Sequence, residues 1–180
     1  MKTHRENFKS WYADVLNDLY PIREAGFVIL LIAFPLLERY LRQKLQLPPQ
    51  AVLQDFFYDE LTKLFPQLTD RATAKIFWQV YRNGLLHEVT LSRQNRSGGQ
   101  MPVGWLSHDK PIVSIESDGS FWIHPVLFSQ HVVQTIETNF SVFEGTAASQ
   151  SPLPKVKAVP ANTGPGALSG PIILGTNTEP

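Results

Sequence analysis

The chain has no cysteine among its 180 residues, which excludes both a disulfide framework and a thiolate zinc site. It also lacks net charge. Sixteen basic side chains balance sixteen acidic ones, so the molecule is without the broad positive field of a non-specific nucleic-acid binder, and any contact with RNA has to be local. No apolar run is long enough to span a bilayer. The strongest, Ala25 to Leu37, is interrupted by Pro35 and closed by Glu38-Arg39, which leaves it short of the roughly 18–20 residues a membrane helix needs. It reads as a core helix. The first residues, Met1 to Glu6, are polar and run into an amphipathic pattern, not into the apolar stretch of a secretory signal. Together these absences predict a cytoplasmic chain with no membrane partner.

What is present is enough apolar material for one core: 43% of the residues are hydrophobic. From Asn7 to Tyr20, Phe8, Trp11, Tyr12, Val15, Leu16 and Leu19 recur at spacings of three and four, the pattern of one helical face. Residues 22 to 45 are helical in pattern and apolar nearly all round in their first half, which describes a helix surrounded by partners. Pro35 is expected to kink or split it, because proline removes a backbone donor and crowds the preceding turn. A third amphipathic stretch carries Val52, Phe56, Phe57, Leu61 and Leu64. A fourth starts at an N-cap, Thr69 or Asp70, and runs through Ile76, Phe77, Val80 and Tyr81 to about Leu86. Short connections between such helices favour antiparallel neighbours.

The pattern changes after His87. Residues 92 to 104 are rich in turn formers and read as a loop. Pro111 to His124 reads as a β-hairpin turning at Ser117-Asp118-Gly119-Ser120. Pro125 opens a fifth helix reaching about Phe143. Of the last 36 residues six are proline and five are glycine, and none is aromatic, the composition of a disordered tail. The predicted fold is therefore mainly α. It is an antiparallel bundle of four to five helices over residues 1–91, a loop, hairpin and packing helix over 92–144, and a disordered tail over 145–180.

One segment carries chemistry: Arg82-Asn83-Gly84-Leu85-Leu86-His87. If the helix continues through it, Asn83 and His87 are four apart and share a face, while Arg82 projects about 100° away. Residue chemistry alone also fits a plainer reading, with Arg82 an exposed helix residue and His87 a cation at a helix C-terminus. Glu38, inside the apolar helix, reads as the mark of its exposed face together with Arg39 and Arg42, though a neighbouring helix also offers it a route to the motif. His108, His124 and His131 show no recognised metal-ligand spacing, and neither a metal nor a cofactor is expected.

The string Tyr81-Arg82-Asn83-Gly84-Leu85-Leu86-His87 resembles the signature of the HEPN ribonucleases, in which an Arg, a following polar residue and a later His lie towards the end of a helical bundle. The resemblance covers roughly residues 5 to 90. It implies a metal-independent endoribonuclease acting as a homodimer with two motifs facing one cleft, commonly a toxin or an antiviral defence component whose partners are RNA and an antitoxin or regulatory protein. By that resemblance Arg82, Asn83 and His87 are the catalytic residues, and the nearby Arg93 and Arg96 are candidates for RNA binding. The chemistry suits the residue types: His moves protons near neutral pH, and Arg is a permanent planar fork for phosphate oxygens. One motif supplies one titrating group where the reaction wants two, so a symmetric dimer is expected. The sequence departs from the family at Val89, where members silenced by nucleotidylation carry a tyrosine. The competing expectation is a non-catalytic helical module that binds a partner protein or nucleotide, which neutral charge and the unassigned elements after residue 110 favour.

Overall fold

The computed structural model describes residues 3–48, 50–88 and 103–143, with the backbone alone for 86–88. It is mainly helical, as the periodicity predicts. The tail and residues 92–102 of the predicted loop lie outside the described residues. Thr3 opens the first helix with a reciprocal cap: its hydroxyl accepts from the Glu6 N–H, and the Glu6 carboxylate accepts from the Thr3 N–H. Helix α1 (His4–Phe8) passes through a wider turn, Lys9–Ala13, into α2 (Asp14–Leu19), and the Asp14 N–H donates five residues back to the Lys9 carbonyl. That wider winding redistributes the predicted apolar face. Phe8 and Leu16 are buried, whereas Trp11 and Val15, expected beside them, are exposed.

A single turn, Arg23–Ala25, precedes α3 (Gly26–Lys44), which runs unbroken through Pro35. The expected split is corrected: Pro35 sits at an exposed position, where water can serve a carbonyl that has lost its intrahelical donor. At the end of α3, Gln46 takes a left-handed conformation (φ 54°) and the Leu47 N–H donates back to the Arg42 carbonyl at 2.8 Å, the closure usually given to glycine. Helix α4 (Asp55–Leu64) begins later than its apolar pattern suggests, leaving Val52 outside it and 84% exposed. Asp70 settles the N-cap of α5 (Arg71–Trp78), its carboxylate accepting from the Thr73 N–H at 2.8 Å. That bond holds the Asp70 carboxyl below its ordinary range. From Gln79 to Glu88 the chain continues in the wider i→i+5 winding.

The hairpin is present as β2 (Val113–Ile115) and β3 (Phe121–Ile123), antiparallel, with Gly119 at φ 80° in the turn, a conformation that glycine takes without a side-chain clash. A third strand, β1 (Gly104–Leu106), was not expected. It falls at the end of the predicted loop and pairs in parallel with β3, so the order is β1-β3-β2. Helix α6 (Pro125–Thr138) and a last turn, Phe140–Phe143, fill the predicted fifth helix.

The core lies where α3, α5 and α6 meet. Phe34 is its hub, with ring centroids 4.7 Å from Phe128, 5.7 Å from Trp78 and 6.0 Å from both Tyr81 and Phe77. Each fully buried ring of this kind contributes on the order of 2–3 kcal/mol through lost water contact. Phe121, Ile123 and Val113 of the sheet join the same cluster. Among the described residues no helix is long and apolar enough to cross a membrane.

The N-cap of α6 is a histidine. His124 Nδ1 accepts from the Leu127 N–H at 3.2 Å, which requires that nitrogen to be unprotonated. Burial, with the His108 ring beside it, holds the His124 pKa below its ordinary 6.5. A histidine depressed in the folded state contributes stability that is full above the unfolded pKa and is lost as pH falls through the folded one. An asparagine caps without titrating. The melting temperature of His124→Asn should therefore fall less than that of the parent between about pH 7 and pH 5. Parallel profiles would show that this cap does not govern the acid limb.

Candidate functional site

The motif begins one residue after a tightly anchored side chain. Tyr81 is fully buried, and its hydroxyl stands 2.8 Å from the Trp105 and Phe121 carbonyls while accepting from the Trp105 N–H at 3.0 Å. Burial pushes this hydroxyl far above the ordinary tyrosine range. Strand β1 crosses directly over the same turn. A Cβ added at Gly104 would stand 2.7 Å from Val80 Cγ1 and 3.0 Å from Tyr81 Cζ, closer than packed atoms allow. The small sheet is thus clamped to the helical turn that presents Arg82.

Arg82 is not the exposed residue of the plainer reading. Its side chain is three-quarters buried and its Nε donates to Glu38 Oε2 at 2.6 Å. Its Nη1 donates to Asn83 Oδ1 at 3.1 Å. The other Glu38 oxygen accepts from Arg42 Nε at 2.8 Å, one turn along α3. Arg42 is itself fixed, donating from Nη1 to the Pro48 and Ala51 carbonyls. Glu38 is 9% exposed, so placing it on an outward face with Arg42 is corrected: it points inward, and Arg42 reaches it from the rim. Carboxylate and two guanidinium groups together carry one net positive charge. Tyr58 lies in the same field, where burial and then the Glu38 carboxylate hold its hydroxyl above the usual range.

The winding of the backbone changes the motif's geometry. In an α-helix, positions 82 and 87 would be roughly 140° apart around the axis. With i→i+5 bonding over Gln79–Glu88, five residues make little more than one turn, and the backbone brings position 87 round towards the side that carries Arg82. The Asn83 side-chain oxygen accepts from Arg82 Nη1. The His87 side chain lies outside the described residues, as do Arg93 and Arg96 entirely.

Three other histidines have structural contacts. His131 Nε2 is 3.0 Å from the Leu64 carbonyl and its ring packs on Phe65, while His108 and His124 meet edge to face. Among the described residues no group of three or more His, Asp or Glu side chains is placed to hold a metal ion. Compared with known proteins, the chain matches no family model, no curated protein and no solved structure.

Sequence reasoning gave Tyr81 no part in the site and placed the route from Glu38 to the motif second to a surface role. The signal for Glu38 was the isolated carboxylate in an apolar run with Arg42 four residues on, a helical ion-pair spacing. The surface reading came first, and the Arg82 contact across the bundle decides for the other. The network makes a stability prediction. Glu38→Ala leaves two partly buried guanidinium groups without their carboxylate and should cost about 3 kcal/mol, read by urea unfolding. Glu38→Gln keeps an acceptor and should cost less. A cost below about 1 kcal/mol for Glu38→Ala, as for an exposed pair, would show that the network is incidental.

Proposed function

We propose that this chain is a metal-independent endoribonuclease of the HEPN type, acting in the cytoplasm on single-stranded RNA through Arg82, Asn83 and His87. The observation that carries the reading is the fixed Arg82. A guanidinium three-quarters buried, with its Nε held by Glu38 from another helix, has lost its rotamer freedom before any phosphate arrives, and this preorganisation lets a cation stabilise charge that develops in a transition state. The wide turn that brings position 87 towards the same side supports it.

In this mechanism the His87 imidazole takes the proton from the RNA 2′-hydroxyl. The 2′-oxygen attacks phosphorus, the bond to the 5′-oxygen breaks, and a second imidazole returns a proton to that leaving oxygen. Arg82 offsets charge on the phosphorane, and Asn83 fixes the guanidinium plane. The products are a 2′,3′-cyclic phosphate and a 5′-hydroxyl. The second imidazole is His87 of another copy, so the active form is a homodimer. Phe27 and Val28, both exposed at the start of α3, support association through that apolar end. A toxin or antiviral defence role, with an antitoxin or regulatory protein as partner, is the setting that goes with this activity.

One observation favours a second reading. The Arg82 charge is already opposed by Glu38, which suits a structural ion pair in a non-catalytic module that binds a partner protein or nucleotide. Activity separates the two. The protein should cut single-stranded RNA in EDTA, His87→Ala should lose on the order of 10² to 10⁴ in rate, Arg82→Ala should lose most activity, and Asn83→Ala should be milder. Full activity in His87→Ala, or cutting abolished by chelation, would remove the ribonuclease reading. Sedimentation at micromolar concentration should give twice the monomer mass, and an active monomer would remove the two-imidazole mechanism.

A further inference from the structure

The face of the small sheet turned away from the helices carries two tryptophans. Successive side chains of a strand alternate between faces. Val113, Phe121 and Ile123 belong to the buried core, so Trp122 and its register partners, Trp105 in β1 and Ser114 in β2, take the outer face. The two indoles stack, with ring centroids 5.7 Å apart and planes 24° from parallel. From the connection leading into β2, Lys110 Nζ reaches to 5.4 Å from the Trp122 ring centroid and donates to Glu116 Oε1 at 2.6 Å. Trp105 lies at the other side, on the edge strand β1. It is 48% exposed, and among the described residues Trp122 is the only ring stacked on it.

A stacked aromatic pair with one open end is a platform for a further flat ring. Every nucleobase has such a face, and stacking on an aromatic side chain demands no particular hydrogen-bond pattern. Position and charge narrow the ligand. The Tyr81 hydroxyl donates to the Trp105 carbonyl and accepts from its N–H, so the platform is held in a fixed relation to the turn that presents Arg82. The Glu38, Arg42 and Arg82 cluster carries one net positive charge, whereas the indole pair is bordered by the neutral pair of Lys110 and Glu116. A cationic cluster and an uncharged flat ring fixed to one helical turn match the two parts of a nucleotide, its phosphate and its base. An apolar peptide would match the indoles and leave the cation without a counterpart.

We propose that Trp105, backed by Trp122, is the stacking platform for an unpaired base of a single-stranded RNA whose phosphate meets Arg82. The inference rests on the ribonuclease reading and adds to it the group that grips the strand. Tyr81 and Arg82 point in different directions, so the stacked base belongs to a neighbour of the nucleotide at Arg82 and not to that nucleotide itself. Because stacking is tolerant of base identity, the platform holds the strand without dictating its sequence.

A binding titration on the full chain tests this, with a fluorescently labelled oligoadenylate whose 2′-hydroxyls are methylated as the probe and anisotropy as the readout. Trp105→Leu keeps an apolar side chain and removes the ring, and it should weaken binding roughly 5- to 150-fold. Trp105→Phe restores a flat ring and should recover much of that loss. The dependence of binding on salt should be equally steep in the parent and in Trp105→Leu, since stacking releases no counterions, and shallower in Arg82→Ala. The Trp105 side chain is at the surface and its backbone bonds to Tyr81 remain in both variants, so the fold is kept. Trp105→Leu binding as tightly as the parent, Trp105→Phe binding no better than Trp105→Leu, or a parent that does not bind the probe would each overturn the platform. Cutting of unmodified RNA by that same parent in EDTA would leave the ribonuclease reading standing. Ring-dependent binding by a protein that cuts no RNA would support the platform and count against the ribonuclease reading alone.

Discussion

The Glu38 carboxylate is the constraint on which the candidate site depends. It sits in a helix that is otherwise the apolar centre of the bundle, and it is tolerated there because both of its oxygens are met, one by Arg42 and one by Arg82. A buried carboxylate with one oxygen unpaired would be costly. The two arginines are therefore not interchangeable surface charges. Arg42 satisfies Glu38 from its own helix and ties the α3–α4 connection through the Pro48 and Ala51 carbonyls. Arg82 satisfies it from the motif helix, and so the position of the motif is tied to α3.

A second restraint acts from the opposite side. Tyr81 points into the core and fastens its hydroxyl to β1 and β3, whereas Arg82, the next residue, points to Glu38. Consecutive side chains held in different directions leave the backbone of this turn little freedom, and it is here that the chain adopts the wider winding. Wider turns inside helices occur frequently at functional sites. The sheet has a structural role: with Gly104 pressed against Val80 and Tyr81, it forms the outer wall of the motif helix.

Much of the fold was legible because the core is built from periodic apolar residues. Phe57 and Leu61 in α4, Phe77 and Val80 beyond Asp70, and the turn at Gly119 lie where their spacing put them. Three features were not legible, each for a stated reason. Strand β1 is three residues long and pairs in parallel with a distant strand, so no local pattern marks it. Helix α3 passes through Pro35 because that position faces solvent, which sequence alone does not reveal. The wide turns at Lys9–Ala13 and Gln79–Glu88 follow from packing and not from propensity, and Trp11 and Val15 lie outward of where an α-helical face would put them. The candidate site was half legible: the Arg82-to-His87 string stands out as residue chemistry, but its anchor, Glu38, lies 44 positions away.

We propose that Arg82, fixed by Glu38, and His87 form one phosphate-binding site. The most direct measurement is a nitrogen-15 NMR titration with a short single-stranded RNA whose 2′-hydroxyls are methylated, which binds such a site and is not cut. The account predicts that the Arg82 Nε and the His87 imidazole signals shift together along one binding curve, and that Glu38→Gln weakens that curve. Shifts confined to other residues, or a His87 response without an Arg82 response, would contradict it.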